Sequence, residues 1–361
     1  MKFQLKTRQV CLFFIAFLPV SKLFTMPSII AGCASEDMWI STLINLLLDL
    51  ITLSFVLWTC KKTKTDFFGL LELNFGKLGS KIILLLYFFT FFFKALLPIN
   101  QQKTYVELTL YETLPSFLNF LPFFLVSFFF CCKRIRVLGR VADIFWVITL
   151  IGLILIFLLS FTNSDFSAVL PIGAQGFINQ SKGAFYSFNW FGDCAYLMFF
   201  IGQFQVKKKD CVKVFLSYLI PGLFVVFFMI IFYGVFTSIA FRQIFALTEI
   251  SKYTIVINNI GRFDYVGIIC ILASNFFALA LPLYFASLIL NKIFNIKPWI
   301  CSLIVNGLTC FCVLAFAEHF ASIEKFLSVY GNALFFITAN VLPIITCVLK
   351  KENKENEVSA C

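Results

Sequence analysis

The sequence predicts an all-α polytopic membrane protein of about ten transmembrane helices, and three observations carry that reading. Of its 361 residues 61% are hydrophobic and only 13% are charged, about half the charge of an ordinary soluble domain. The apolar residues fall in long runs, and at about 20 per bilayer crossing ten crossings use roughly 200 of them. Lysine and arginine gather in alternate connections between those runs, the pattern by which a membrane chain is oriented.

The runs cover residues of about 9–31, 38–60, 80–99, 116–132, 141–162, 184–205, 212–240, 264–291, 299–317 and 327–349, each apolar enough for a helix in lipid. The first follows Lys2, Lys6 and Arg8. The second and third are parted by Lys61, Lys62, Lys64, Lys77 and Lys81, and the fourth and fifth by Lys133, Arg134, Arg136 and Arg140. Lys207, Lys208, Lys209 and Lys213 part the sixth and seventh, Lys292 and Lys297 part the eighth and ninth, and Lys350, Lys351 and Lys354 follow the tenth. These are 21 cations on one side, against Lys103, Lys182, Arg242, Lys252, Arg262 and Lys325 on the other. Positive loops stay in the cytoplasm, so both termini are expected there and the number of spans is even. Residues 1–350 form one permease-like transmembrane domain with repeat halves at about 8–162 and 184–349, and 351–361 form a short, charged, disordered cytoplasmic tail. Its last residue, Cys361, lacks the context for prenylation.

Several function classes fall away. The net charge of +11 lies in loops rather than along one basic face, which argues for membrane orientation and against nucleic acid. Thirteen cysteines give no CxxC pair, and His319 is the single histidine, so zinc and thiol-redox chemistry are not expected. No Walker loop, GxGxxG or catalytic serine motif is present, and neither an enzyme, a metal site nor a cofactor is expected. Lys2 to Arg8, the apolar run and Ile30-Ala31-Gly32-Cys33 imitate a lipoprotein signal. Lys22 and Pro27 interrupt it, and cleavage would leave nine spans, so the segment is read as an uncleaved first span.

Two spans carry interruptions. The first contains Pro19-Val20-Ser21-Lys22-Leu23-Phe24-Thr25-Met26-Pro27, and the sixth Ser187-Phe188-Asn189-Trp190-Phe191-Gly192-Asp193. Broken backbone frees N–H and C=O groups for a ligand, and an offset of five spans is that of a five-plus-five inverted repeat with its site near the bilayer midplane. Ionisable residues inside spans are functional candidates because each is costly there unless paired. Lys22 and Asp193 are the pair expected to meet, with Lys22 either neutralising Asp193 or holding a substrate carboxylate. Lys94 either joins the site or snorkels to the outer interface. Asp49 is either functional or satisfied by a Ser or Thr on a neighbouring helix. Arg140 and Asp143, three apart, are expected to form a local helical ion pair, with Arg262 and Asp264 a similar boundary feature. Trp39 and Trp299 are expected as interfacial anchors.

The stretch Lys22-Leu23-Phe24-Thr25-Met26-Pro27 through Gly32, with Glu36-Asp37-Met38-Trp39-Ile40-Ser41, resembles the first hairpin of the spore germination permease family, the B-type subunits of nutrient germinant receptors. Leu73-Asn74-Phe75-Gly76-Lys77-Leu78-Gly79, Gly139-Arg140-Val141-Ala142-Asp143 and Gly261-Arg262-Phe263-Asp264 extend the resemblance in the same order. That family is similar to amino acid permeases of the amino acid, polyamine and organocation superfamily. The resemblance therefore implies a LeuT-like fold, an amino acid or similar small nutrient as ligand, and a pocket between spans 1, 3, 6 and 8. It implies binding roles for Ser21, Lys22 and Thr25 on the first break, for Asn189, Trp190 and Asp193 on the sixth span, and more loosely for Lys94 and Asn275. Related permeases use small Gly or Ser residues where this chain has Pro19, Ser21 and Lys22, so a buried lysine stands in a sodium-like role and proton coupling is the expected alternative. The resemblance further implies a membrane A-type and a lipoprotein C-type partner in a bacterial cytoplasmic membrane, the spore inner membrane for a germinant receptor. A self-sufficient amino acid transporter, proton-coupled or exchanging, uses the same pocket.

Overall fold

The computed structural model describes residues 5–62, 65–109, 116–161, 163–204, 208–252, 264–316 and 319–349, and their regular structure is helical throughout. Seven helical segments among them are long and apolar enough to cross a membrane, and Phe120–Cys131 is a shorter apolar one. The first and sixth of the crossings expected from the sequence are built from pieces. The first comprises α1 (Thr7–Leu23) and α2 (Met26–Ala34). Then come α3 (Met38–Lys62), α4 (Phe67–Thr109), α5 (Ser116–Cys131) and α6 (Ile135–Phe161). The sixth comprises α7 (Gly176–Tyr186), a 3₁₀ turn at Phe188–Trp190 and α8 (Cys194–Met198). Next are α9 (Lys208–Phe236), α10 (Ala246–Lys252), α11 (Asp264–Phe294) and α12 (Pro298–Ala315). The tenth crossing joins α13 (Phe320–Phe326), α14 (Asn332–Phe336) and α15 (Leu342–Val348) through π-helical turns at Leu327–Gly331 and Ile337–Val341.

The first break is narrower than the sequence suggests. Pro19 lies inside α1, and the helix stops only at Phe24 and Thr25. A proline costs a membrane helix one internal hydrogen bond, which neighbouring groups can absorb, whereas Pro27 favours a new start because its missing N–H falls in the first turn of α2. The carbonyl freed at Phe24 accepts from the Ala246 N–H at 2.9 Å, so α10 seals the break. The third crossing is longer than 80–99: α4 bends at Gly76, whose φ of 73° is open to glycine, and runs on to Thr109. Lys103, expected in an outer connection, is therefore a buried helical residue 3.4 Å from Glu107. The expected Arg140–Asp143 pair does not form. Asp143 faces the first crossing instead, 3.3 Å from Arg8 and 3.0 Å from the amide of Gln9, because a carboxylate in the third turn of α6 reaches across to α1 more readily than back along its own helix. Trp299 is half exposed, as an interfacial anchor would be, but Trp39 packs against the core. Gly261 to Phe263 and the tail, with their expected boundary motif and disorder, lie outside the described residues.

α1 sits at the centre, packed on α9, α6 and α11, with α11 also against α4. Its buried residues, among them Phe13, Phe14, Phe17, Leu18 and Val20, cover every side, as in a helix surrounded by protein. The periphery is the reverse: Leu125, Val126 and Phe129 of α5 and Ile144, Ile151 and Leu158 of α6 stand exposed, a surface suited to lipid rather than water.

One polar stripe fixes the entrance of the sixth crossing. Asp37, Ser41, Asn45 and Asp49 follow each other at four-residue spacing, so they share one side of a helix, and all four are buried. Asp37 accepts from the backbone N–H of Gly173 at 2.8 Å and of Gln175 at 3.0 Å, and from the Gln180 amide at 3.1 Å. Ser41 donates to the Gln180 carbonyl at 2.8 Å. Asn45 donates to the Ala184 carbonyl at 2.8 Å and to the Ser187 hydroxyl at 3.0 Å. α7 lies so close here that a Cβ on Gly183 would stand 2.6 Å from the Ser41 oxygen. Asp37→Ala removes the acceptor of three donors at once, of which the Gln180 amide is buried, and with about 1–3 kcal/mol for a buried donor left unpaired the apparent melting temperature in detergent is expected to fall by a few degrees. A melting temperature unchanged within error would show that Asp37 does not hold this connection.

Candidate ligand site at the two helix breaks

Lys22, in the last turn of α1, and Asp193, at the start of α8, form an ion pair with side chains 1% and 0% exposed. Of the two roles the sequence leaves for Lys22, the neutralising one is adopted here. Lys94, on α4, turns inward rather than snorkelling. It donates to the Phe191 carbonyl, which the second break frees, and stands 3.4 Å from the other Asp193 oxygen. Its Nζ is also 5.5 Å from the centre of the Tyr196 ring, while that of Lys22 is 5.0 Å from the Phe191 ring, within range of a cation–π attraction. Two cations from spans 1 and 3 thus converge on one carboxylate of span 6.

Gly192 explains why the sixth span breaks where it does. Its φ is 78°, and a Cβ there would meet the Cβ of Ala339 at 2.4 Å. Ala339 lies in the second π-helical turn of the tenth crossing, a feature that often marks functional regions of helices. The freed N–H of Gly192 donates to both oxygens of Asp49 at 3.1 Å, and the Tyr218 hydroxyl on α9 donates to the same carboxylate. Asp49 is thus satisfied by a broken backbone and a tyrosine, not by Ser or Thr. Below it on α3, Thr52 donates to the Asn340 side chain at 2.6 Å.

Beside the ion pair lies a cavity of about 30 Å³, room for two waters at most. Six of the eight residues singled out from the sequence line it: Ser21, Thr25, Lys94, Asn189, Trp190 and Asn275. Lys22 and Asp193 form the ion pair behind it. Asn189 is 3% exposed, yet neither its side-chain oxygen nor its nitrogen has a protein partner. Asn275 donates to Gln102. A second cavity of about 270 Å³, lined by Ile29, Leu97, Tyr186, Glu324 and Lys325, shares Asn189 and Trp190 with the first, so these two residues form the partition between them.

Gln101, which sequence reasoning missed, also lines the inner cavity. It accepts from Thr25 at 2.8 Å and donates to Glu324 at 2.8 Å, linking spans 1, 3 and 10. The signal was present in Lys94 and Gln101, seven apart and so on one helical face, but ending the third span at 99 excluded it. Tyr196 was missed as well, and so was the approach of Ala339 to Gly192. Aromatics are too common in this chain for one to stand out, and the neighbour of Gly192 belongs to another span.

Residues 4–319 match the model of a family described as spore germination protein. No curated protein matches the chain. Among solved structures, a Na⁺-coupled sialic acid symporter in a substrate-bound outward-open state has a TM-score of 0.63 at 11% identity, over 92% of this chain and 78% of that one. A point variant of the manganese transporter of Eremococcus coleocola has a TM-score of 0.60 at 12% identity, over 98% and 82%. The same transporter bound to an aromatic bis-isothiourea compound gives 0.55 at 11%. These likenesses establish a LeuT-type transporter fold.

Removing the shared carboxylate has a larger effect than removing one cation. Asp193→Asn leaves Lys22 and Lys94 enclosed without a counter-charge and is expected to destabilise the protein by about 3–5 kcal/mol, whereas Lys22→Met costs less because Lys94 already approaches Asp193. The double variant is expected to fall short of the sum of the two by about 1–3 kcal/mol, the coupling of residues in contact. Additive effects in detergent unfolding would show that the pair does not form. Gly192→Ala, with a strained φ and a collision with Ala339, is expected to lose about 2–4 kcal/mol by the same measurement.

Proposed function

The chain belongs to the spore germination protein family, and from that premise we propose that it is the permease-like, nutrient-sensing subunit of a spore germinant receptor. Its ligand in this reading is an amino acid or similar small nutrient, bound at the midplane between the two helix breaks. The observation that carries the reading is the enclosed, unpartnered amide of Asn189 in the cavity that Lys94 also lines. Burying both amide atoms without partners is costly, and a zwitterion offers an ammonium to the oxygen and a carboxylate to the nitrogen and to Lys94. Ser21, Thr25, Trp190 and Asn275 complete the lining, with Lys22 and Asp193 as the charged base of the site. In this reading Lys22 stands in a sodium-like role, so binding requires no sodium and any coupling runs on protons.

The same reading puts both termini in the cytoplasm and the protein in the spore inner membrane. In this reading a membrane A-type subunit and a lipoprotein C-type subunit are its partners. A self-sufficient carrier is the second reading, favoured by the transporter fold itself.

Equilibrium binding of a radiolabelled amino acid panel to the protein in nanodiscs, with uptake into proteoliposomes alongside, tests both readings. Saturable binding without net accumulation, weakened at least about tenfold by Asn189→Leu through loss of two polar contacts, is the outcome expected of a sensing subunit. Accumulation driven by a proton gradient would make it a carrier. Absence of binding to the folded protein, with or without its partner subunits, would reject the pocket.

A further inference from the structure

A third cavity, of about 300 Å³, lies apart from the helix breaks, at the loop that joins α5 to α6. Lys133 and Arg134 of that loop line it, together with Gln203, Tyr284, Ser287 and Asn291, and no acidic residue does. Among the described residues neither cation has a salt-bridge partner, and both are exposed. Two long helices begin at the cavity, α6 at Ile135 and α12 at Pro298, and neither carries an acid in its first turn. The positive ends of both helix dipoles are therefore left without compensation. The cavity contains a second, independent sign of a missing ligand. Tyr284 is 2% exposed, lines it, and its hydroxyl has no hydrogen-bond partner. Ser287, one turn further along α11 on the same side, is buried beside it.

We propose that this cavity is an anion site for a phosphate group carrying a small polar substituent. Lys133 and Arg134 take the phosphate oxygens, the guanidinium by its paired N–H groups, and the hydroxyls of Tyr284 and Ser287 meet the polar substituent inside. A loop between two spans lies at the level of the lipid headgroups, where basic interhelical pockets bind anionic lipids. The phosphate is thus available as a phosphatidylglycerol headgroup or as a soluble glycerol phosphate. Occupancy bears on the rest of the molecule because Phe199 and Gln203, which follow the second piece of the sixth span, line the same cavity. The Gln203 carbonyl accepts from the Leu5 N–H at 3.1 Å, so an anion held there braces the ends of both broken spans.

The test uses delipidated full-length protein, with native mass spectrometry for retained lipid and thermal unfolding for soluble ligands. The probes are phosphatidylglycerol, phosphatidylcholine as the neutral reference, and glycerol 3-phosphate. Preferential retention of phosphatidylglycerol, weakened about twenty-five-fold by Lys133→Gln with Arg134→Gln at a factor of about five for each cation, supports a lipid headgroup. Stabilisation by glycerol 3-phosphate alone, lost in the same variant, supports a soluble phosphate. Tyr284→Phe separates a ligand contact from a merely structural role. It removes an unsatisfied hydroxyl, so unliganded stability is expected to hold or rise while affinity falls. No preference over phosphatidylcholine and no response to glycerol 3-phosphate would overturn the proposal, as would undiminished binding in the Lys133 and Arg134 double variant.

Discussion

The architecture depends on satisfying one carboxylate far from water. A carboxylate in a membrane interior is costly without a counter-charge, and the partner of Asp193, Lys22, lies on the other broken span. Each charge makes the other tolerable, and the two interruptions are held face to face. Lys22 also lies in the last turn of α1, where the negative end of the helix dipole favours a cation. A buried ion pair adds little net stability over well-packed apolar residues, but removing one member is severe. Its value here is registration: it selects the one juxtaposition of spans 1 and 6 in which neither charge is orphaned.

The polar stripe on α3 does the same for the backbone. Breaking a helix in lipid frees N–H and C=O groups that water cannot reach, and each must find a protein partner. Asp37, Ser41, Asn45 and Asp49 meet the sixth crossing successively at Gly173 and Gln175, Gln180, Ala184 and Gly192. One side of α3, together with Asp37 in the turn that leads into it, therefore serves as a rail for the interrupted crossing, from its approach to its break. At the far end of the rail, Gly192 lets the tenth crossing close against the break through Ala339. Displacement of the sixth span thus moves against partners on α3, on the tenth crossing and on α1 together.

The helical membrane fold, both interruptions and the Lys22–Asp193 pair were legible because they rest on composition, on glycine and proline, and on charge inside apolar runs, all local signals. The rail was legible too, as four polar residues at a spacing of four, but attention to isolated charges separated Asp49 from Asn45, Ser41 and Asp37. What the sequence hides is distance. The meeting of Arg8 with Asp143, instead of Arg140 with Asp143, spans 135 positions, and the approach of Ala339 to Gly192 joins spans 10 and 6. Helix ends were hidden for a related reason. Gln101, Gln102 and Lys103 read as a polar loop, yet Gln101 bonds to Thr25 and Glu324, Asn275 donates to Gln102, and Lys103 pairs with Glu107. Partners supplied by the fold carry α4 past the point where hydropathy would end it.

The two lysines at the breaks are not equivalent, and the difference bears on how such a site can respond to a ligand. Lys22 is enclosed, does not line the cavity, and pairs with one oxygen of Asp193. Lys94 lines the cavity, keeps a side-chain exposure of 12%, and lies at a longer 3.4 Å from the other oxygen while donating to the Phe191 carbonyl. A carboxylate arriving in the cavity can therefore draw on Lys94 without stripping Asp193 of its charge partner. Any shift of Lys94 releases a carbonyl that belongs to the break itself, next to Gly192 and its contact with the tenth crossing. A cavity of about 30 Å³ is too small for an amino acid, so admitting one requires the walls to separate. The loosely held cation, the freed carbonyl and the glycine contact lie along the line on which that separation would occur.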